Sequence, residues 1–143
     1  MDIEWTYTDE DVNWDELSDL YRLAPLGNKT AEDLEIVFNS SLYKCFLYQS
    51  GKLIGAGRAL ADGKDCSYIC DLAILPKHQG EGLGKEILSK LITLSEGHKK
   101  IILYSVPGKE EFYIKSGFKR MKTALAIFSN EKHAKSIGLI QET

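Results

Sequence analysis

The stretch DLAILPKHQGEGLG, residues 71–84, decides how the rest of the chain is read. An apolar run stops at Pro76, three alternating glycines follow at Gly80, Gly82 and Gly84, and a helical pattern begins at once. Leu83, Ile87, Leu88, Leu91 and Leu94 fall on one helical face, and Gly97 marks its end. A strand feeding a glycine-rich turn and then a helix leaves backbone N–H groups pointing outward at the helix start. Those donors, together with the helix dipole, suit a phosphate group. The missing side chains let a bulky anion approach the backbone. Tight packing at the junction is the plainer use of such glycines, and a lone G-x-G does not decide between the two.

Two familiar phosphate loops do not fit. Gly84-Lys85 is followed by Glu86 where a P-loop needs Ser or Thr for magnesium. The pattern G-x-G-x-G also differs from the dinucleotide fingerprint G-x-G-x-x-G, and it follows a hairpin signal instead of opening a βαβ unit.

Working outward, residues 3–8 read as a first strand, and Trp14, Leu17, Leu20, Tyr21 and Ala24 recur at helical spacing before Pro25 and Gly27. Thr30, with Asp33 three residues on, starts a second helix striped by Leu34, Val37 and Phe38. The period then changes to that of strands. Cys45–Tyr48 and Leu53–Leu60 flank a Ser50-Gly51 turn, and Asp62-Gly63 turns into a long strand, Ser67–Leu75, expected at the centre of the sheet. Beyond the glycine helix, Ile101–Tyr104 reads as a strand, Lys109–Ser116 as a short helix closed by Gly117, and Phe118 onward with Ala124–Phe128 as the last strands. Residues 129–143 carry no clear pattern. The expectation is one α/β domain over residues 1–143, with a mixed, mostly antiparallel sheet flanked by helices.

Composition narrows the function. The 143 residues suit a single core. The net charge of −3 disfavours nonspecific nucleic-acid binding. Eight acids from Asp2 to Asp19 precede the first basic residue, Arg22, whereas Lys77, Lys85, Lys90, Lys99, Lys100, Lys109, Lys115, Lys119, Arg120 and Lys122 crowd the second half. An anionic ligand would favour that half. No stretch reads as a signal peptide or a membrane span, so a cytoplasmic protein with no membrane partner is expected. Cys45, Cys66 and Cys70 lack metal-type spacing, and neither a disulfide framework nor a metal site is expected.

Gln79-Gly80-Glu81-Gly82-Leu83-Gly84 fits Q/R-x-x-G-x-G/A, Asp71–Pro76 stands just before it, and Phe112-Tyr113-Ile114-Lys115-Ser116-Gly117-Phe118 follows downstream. With these motifs in this order the chain resembles the GNAT superfamily of acyl-CoA-dependent N-acyltransferases over nearly its whole length. Among its members it is most similar to small bacterial and plastid-type proteins described as aralkylamine acetyltransferase-like. The resemblance implies the GNAT fold, acetyl-CoA as cosubstrate, and transfer of its acetyl group to a primary amine. Residues 80–85, that is Gly80, Glu81, Gly82, Leu83, Gly84 and Lys85, would bind the pyrophosphate, with the Gln79 side chain nearby. Leu72, Ala73 and Ile74 would bond the pantetheine arm through their main chain, and a β-bulge would aim the amide of Leu72 or Ala73 at the thioester carbonyl. The strand Ile101–Tyr104 would splay away to admit the arm.

Tyr113 aligns with the tyrosine that protonates the departing thiolate. Asp71 and Tyr68 are the candidates for accepting the amine's proton, Tyr68 standing where some relatives carry a catalytic glutamate. The chain departs from the pattern at Val106, where relatives often have an asparagine that contacts the pantetheine. No Cys-His arrangement is evident, so direct attack without an acyl-enzyme is expected. The implied acceptor is a small molecule, an aralkylamine or polyamine. A protein N-terminus and a CoA-binding sensor without turnover are the alternatives, and a homodimer is possible.

Overall fold

The computed structural model describes residues 2–142. They divide into two compact units, the first ending at Leu103 and the second beginning at Tyr104. The first unit is built on a five-stranded sheet in the order β1-β2-β3-β4-β5. β1 spans Ile3–Thr6, β2 Tyr43–Gln49, β3 Lys52–Ala61, β4 Cys66–Ile74 and β5 Lys100–Ile102. β1 to β4 are antiparallel neighbours, and β5 joins β4 in parallel, which makes the sheet mixed. Three helices cover it: α1 (Trp14–Leu23), α2 (Ala31–Asn39) and α3 (Leu83–Leu94).

The helix starts follow from local chemistry. Asn13 accepts the Glu16 amide at 3.0 Å and opens α1, and Thr30 accepts the Asp33 amide at 3.1 Å and opens α2. α1 and α2 bury Leu17, Leu20, Tyr21, Leu34 and Phe38 with Phe46, Leu53, Ala56 and Ala73 from the strands. On the other face, α3 buries Ile87, Leu88 and Leu91. The close approach of α3 depends on two bare positions in β3. A Cβ at Gly55 would lie 2.7 Å from Ile74 Cδ1 and 2.8 Å from Ile87 Cδ1; at Gly57 it would lie 2.9 Å from Leu91 Cδ1.

The second unit holds α4 (Glu110–Ile114) and α5 (Glu131–Ser136). α5 lies in the stretch whose sequence showed no pattern; its Asn130 cap accepts the His133 amide at 3.0 Å. The strands expected from Phe118 onward and over Ala124–Phe128 are not found: none of these described residues is in a strand. Residues 119–127 are exposed throughout, Leu125 and Ile127 almost completely, at 98% and 102%. Alternating apolar residues give a segment β propensity, but a strand exists only where a partner completes its ladder. Among the described residues, no helix is long and apolar enough to cross a membrane.

Candidate functional site

The central strand is irregular where the site residues lie. Ala56 stands opposite Ala73 and Arg58 opposite Cys70, so Asp71 and Leu72 together face Gly57. This is a β-bulge, and Asp71 carries its twist with φ of 55°. Cys66, Ser67 and Tyr68 pair with Lys100, Ile101 and Ile102, and the β4–β5 register stops there. The Leu75 amide donates to the Ile54 carbonyl at 2.9 Å, which fixes the phase of the antiparallel ladder. By its alternation the Ala73 amide faces β3, while the amides of Leu72 and Ile74 face the side that β5 leaves uncovered.

Pro76–His78 then form one 3-10 turn, and the loop reaches α3 through Gly80 and Gly82, with φ of 84° and 83°. A Cβ at either glycine would meet nothing within 4 Å, so these residues are bare for their backbone conformation and not for packing. Gly82 occupies the N-cap of α3 and supplies no side-chain acceptor, so the first-turn N–H groups from Leu83 onward have no side-chain cap. Together they form a row of donors at the positive end of a helix dipole. Gln79 ties the loop down through its side chain. Its amide Nε2 donates to the carbonyls of Ala24 and Ile74, each at 3.0 Å, and ties the loop to the end of α1. Glu81 sits 3.1 Å from His78 Nδ1, and Lys85 is exposed.

Tyr113 lies on α4 in the second unit. Its ring meets Phe112 and Phe118 edge-on, with centroids 5.0 and 6.1 Å away. The Tyr113 carbonyl accepts the amides of Ser116 at 2.9 Å and Phe118 at 3.3 Å across Gly117, whose φ is 103°. The spacing of tyrosine, glycine and final phenylalanine is therefore that of a helix C-cap. Burial raises the Tyr113 pKa above the ordinary phenol value, which keeps its proton in place near neutral pH. Val106, at the departure from the family pattern, is exposed.

Of the remaining candidates, Tyr68 is half-buried opposite Leu60 and beside Ile102. Asp71 is held by two cations: Arg58 Nε at 2.7 Å and Lys29 Nζ at 3.6 Å. The three cysteines are free. Burial pushes the Cys70 thiol up to about 11 despite the opposing pull of Arg58, and Cys45 up to about 12. Neither offers a thiolate near neutral pH. Among the described residues, no cluster of histidine, cysteine or carboxylate groups is arranged to hold a metal ion.

Sequence reading missed Tyr21, Lys29, Ser41 and Arg58, all of which converge on the bulge. One signal was present: Arg58 interrupts the otherwise apolar run LIGAGRAL, and a charge inside such a strand needs a partner.

Residues 7–127 match a family described as the acetyltransferase (GNAT) domain. An uncharacterised N-acetyltransferase of Prochlorococcus marinus is 29% identical over 109 residues, covering 72% of this chain and 61% of its own length. A chloroplastic GCN5-related N-acetyltransferase of Arabidopsis thaliana is 36% identical over 72 residues, covering 49% of this chain and 28% of its own. The chain thus spans less than two thirds of the length of these curated relatives. Among solved structures, a GNAT-family acetyltransferase from Streptococcus pneumoniae superposes with a TM-score of 0.76 at 22% identity, over 90% of this chain and 98% of that one.

Proposed function

The chain belongs to the acetyltransferase (GNAT) family, and from that premise we propose that it moves an acetyl group from acetyl-CoA to a primary amine of a small molecule, an aralkylamine or polyamine. The observation that carries this reading is the uncovered edge of β4 running into the donor-lined loop at the start of α3. The edge offers the amides of Leu72 and Ile74 to an extended arm, as an added strand would take them, and the loop offers Gly80 to Lys85 to a pyrophosphate. The residues present therefore fit acetyl-CoA. We take residues 1–143 as one acetyltransferase domain, since the family match over residues 7–127 extends from the first unit into the second.

Acetyl-CoA, when bound, supplies the thioester carbonyl that the amine attacks. In this reading the Leu72 amide donates to the carbonyl oxygen as negative charge develops there. Tyr113 gives its phenolic proton to the sulfur that leaves when the carbon–sulfur bond breaks. The proton lost by the amine passes through water to Asp71, whose carboxylate gives up its ion pairs with Arg58 and Lys29 as it is protonated, or is relayed by the Tyr68 hydroxyl, which hands its own proton on to water as it takes the amine's. The acidic segment from Asp2 to Asp19 draws a cationic amine toward the protein. The thiols of Cys45 and Cys70 stay protonated near neutral pH, which favours direct attack over an acyl-cysteine.

The test is thiol release from acetyl-CoA across arylalkylamines, polyamines, aminoglycosides, amino acids and short peptides. Amine-dependent release establishes the transferase and identifies its acceptor. Binding of acetyl-CoA with no release for any amine would replace this reading with a CoA-binding sensor.

A further inference from the structure

Three separate elements put a polar group onto one residue of the bulge, and a fourth steadies one of those groups. From α1, the Tyr21 hydroxyl donates to the Asp71 carbonyl at 2.5 Å. From β3, Arg58 Nε donates to Asp71 Oδ2 at 2.7 Å. From the loop before α2, Lys29 Nζ lies 3.6 Å from the other carboxylate oxygen. From beyond the end of α2, the Ser41 hydroxyl accepts Arg58 Nη1 at 3.2 Å and donates to the Val37 carbonyl at 2.7 Å. Arg58 also lies over the Phe38 ring and Lys29 over the Tyr21 ring, each 5.9 Å from the centroid.

This effort is spent on an unusual backbone. Asp71 and Ser50 are the non-glycine residues with positive φ among those described, and Ser50 sits in the β2–β3 turn, where such a conformation is ordinary. In mid-strand the left-handed conformation costs on the order of 1–3 kcal/mol and persists only where its surroundings over-determine it. Burial raises the Tyr21 pKa well above the ordinary phenol value, so the hydroxyl remains a donor.

We propose that Tyr21 and Arg58 are positioning residues: they hold the Asp71 peptide in its left-handed bulge and so keep the next amide, that of Leu72, turned out of the β3 ladder toward the open edge. Tyr21 acts on the peptide itself, and Arg58 anchors the side chain of the same residue. The catalytic consequence rests on the transferase reading above; the structural one does not.

The test is Tyr21→Phe, which keeps the buried ring and removes the donor, with Arg58→Met and Arg58→Lys alongside. In Tyr21→Phe the Leu72 amide resonance and its exchange protection are expected to change. The kcat is expected to fall about 10- to 100-fold, less than the 10²–10³-fold that follows outright loss of an oxyanion donor. The KM for acetyl-CoA is expected to stay within about threefold. The pH–rate profile keeps its midpoints, and Arg58→Lys recovers activity that Arg58→Met loses. An unchanged Leu72 amide in Tyr21→Phe overturns the inference whether or not the wild-type protein turns over. A changed amide with wild-type kcat overturns its catalytic part, and a displaced pH midpoint would assign the effect to Asp71 protonation instead. Absence of turnover in the wild type counts against the transferase reading alone.

Discussion

The junction from β4 to α3 and the segment from Phe118 to Phe128 are equally rich in sequence pattern, yet only the first became the structure its pattern implied. Gly80 and Gly82 adopt the conformations that require glycine, and Gly82 starts α3 at the expected place. Ala124–Phe128 alternates like a strand and is in none. The glycines encode a local event, a turn closed within a few residues, whereas a strand needs a partner elsewhere that its own residues do not name. Local chemistry is legible in one sequence; pairing is much less so.

The largest expected effect tests the local motif in the second unit. Tyr113→Phe is expected to lower turnover by about 10²–10⁴-fold, the usual scale of general acid catalysis, with acetyl-CoA affinity nearly unchanged. Single-turnover kinetics beside a binding titration would separate the two. Equal turnover would reduce the motif to the helix cap seen around Gly117.

Next comes an alkaline loss of stability, which should set the two units apart. Cys45 and Cys70 have folded pKa values raised from 9.0 to about 12 and about 11. Raised values mean that the folded protein keeps protons which the unfolded chain releases. The stability these thiols contribute is therefore complete below pH 9 and is lost as pH rises through about 11 and about 12. Tyr21 shifts in the same direction, as does Tyr113 in the second unit. Three of these four groups belong to the first unit, so hydrogen exchange should loosen there first as pH rises. Alkaline opening that began in residues 104–142 would contradict this.

Two glycine substitutions compare packing with conformation. Gly55→Ala puts a Cβ 2.7 Å from Ile74 Cδ1, 2.8 Å from Ile87 Cδ1 and 3.2 Å from the Ala73 carbonyl oxygen. It is expected to cost about 1–3 kcal/mol in urea unfolding, the range for overpacking. Gly82→Ala meets no neighbour and bears only the left-handed penalty of about 1–2 kcal/mol. It is expected to weaken acetyl-CoA binding by roughly tenfold in a calorimetric titration. The smallest effect belongs to the unpaired segment: Leu125→Ser with Ile127→Ser is expected to change unfolding stability by no more than about 0.5 kcal/mol, since neither side chain is covered. A larger loss would show that the segment is packed in solution.

How far the sequence revealed the candidate site follows the same division. The helices around Trp14–Leu23 and Ala31–Asn39 were readable from period and caps, and β2, β3 and β4 from their turns. The Tyr113 motif was readable because its glycine cap is local. The group around Asp71 was not, because Tyr21, Lys29, Ser41 and Arg58 lie 13 to 50 residues from it or from one another's partners. Only the arginine inside an apolar strand hinted at it. The attachment that the Gln79 side chain makes was not legible either, because it is set by the distant Ala24 carbonyl.

The most direct test of the central claim, that the open β4 edge and the α3 start receive acetyl-CoA, is a CoA titration followed by backbone amide resonances. The account predicts that the amides of Gly80 to Lys85, with those of Leu72 and Ile74, shift together and saturate at one equivalent. Shifts confined to other residues, or none at concentrations that saturate related transferases, would contradict it.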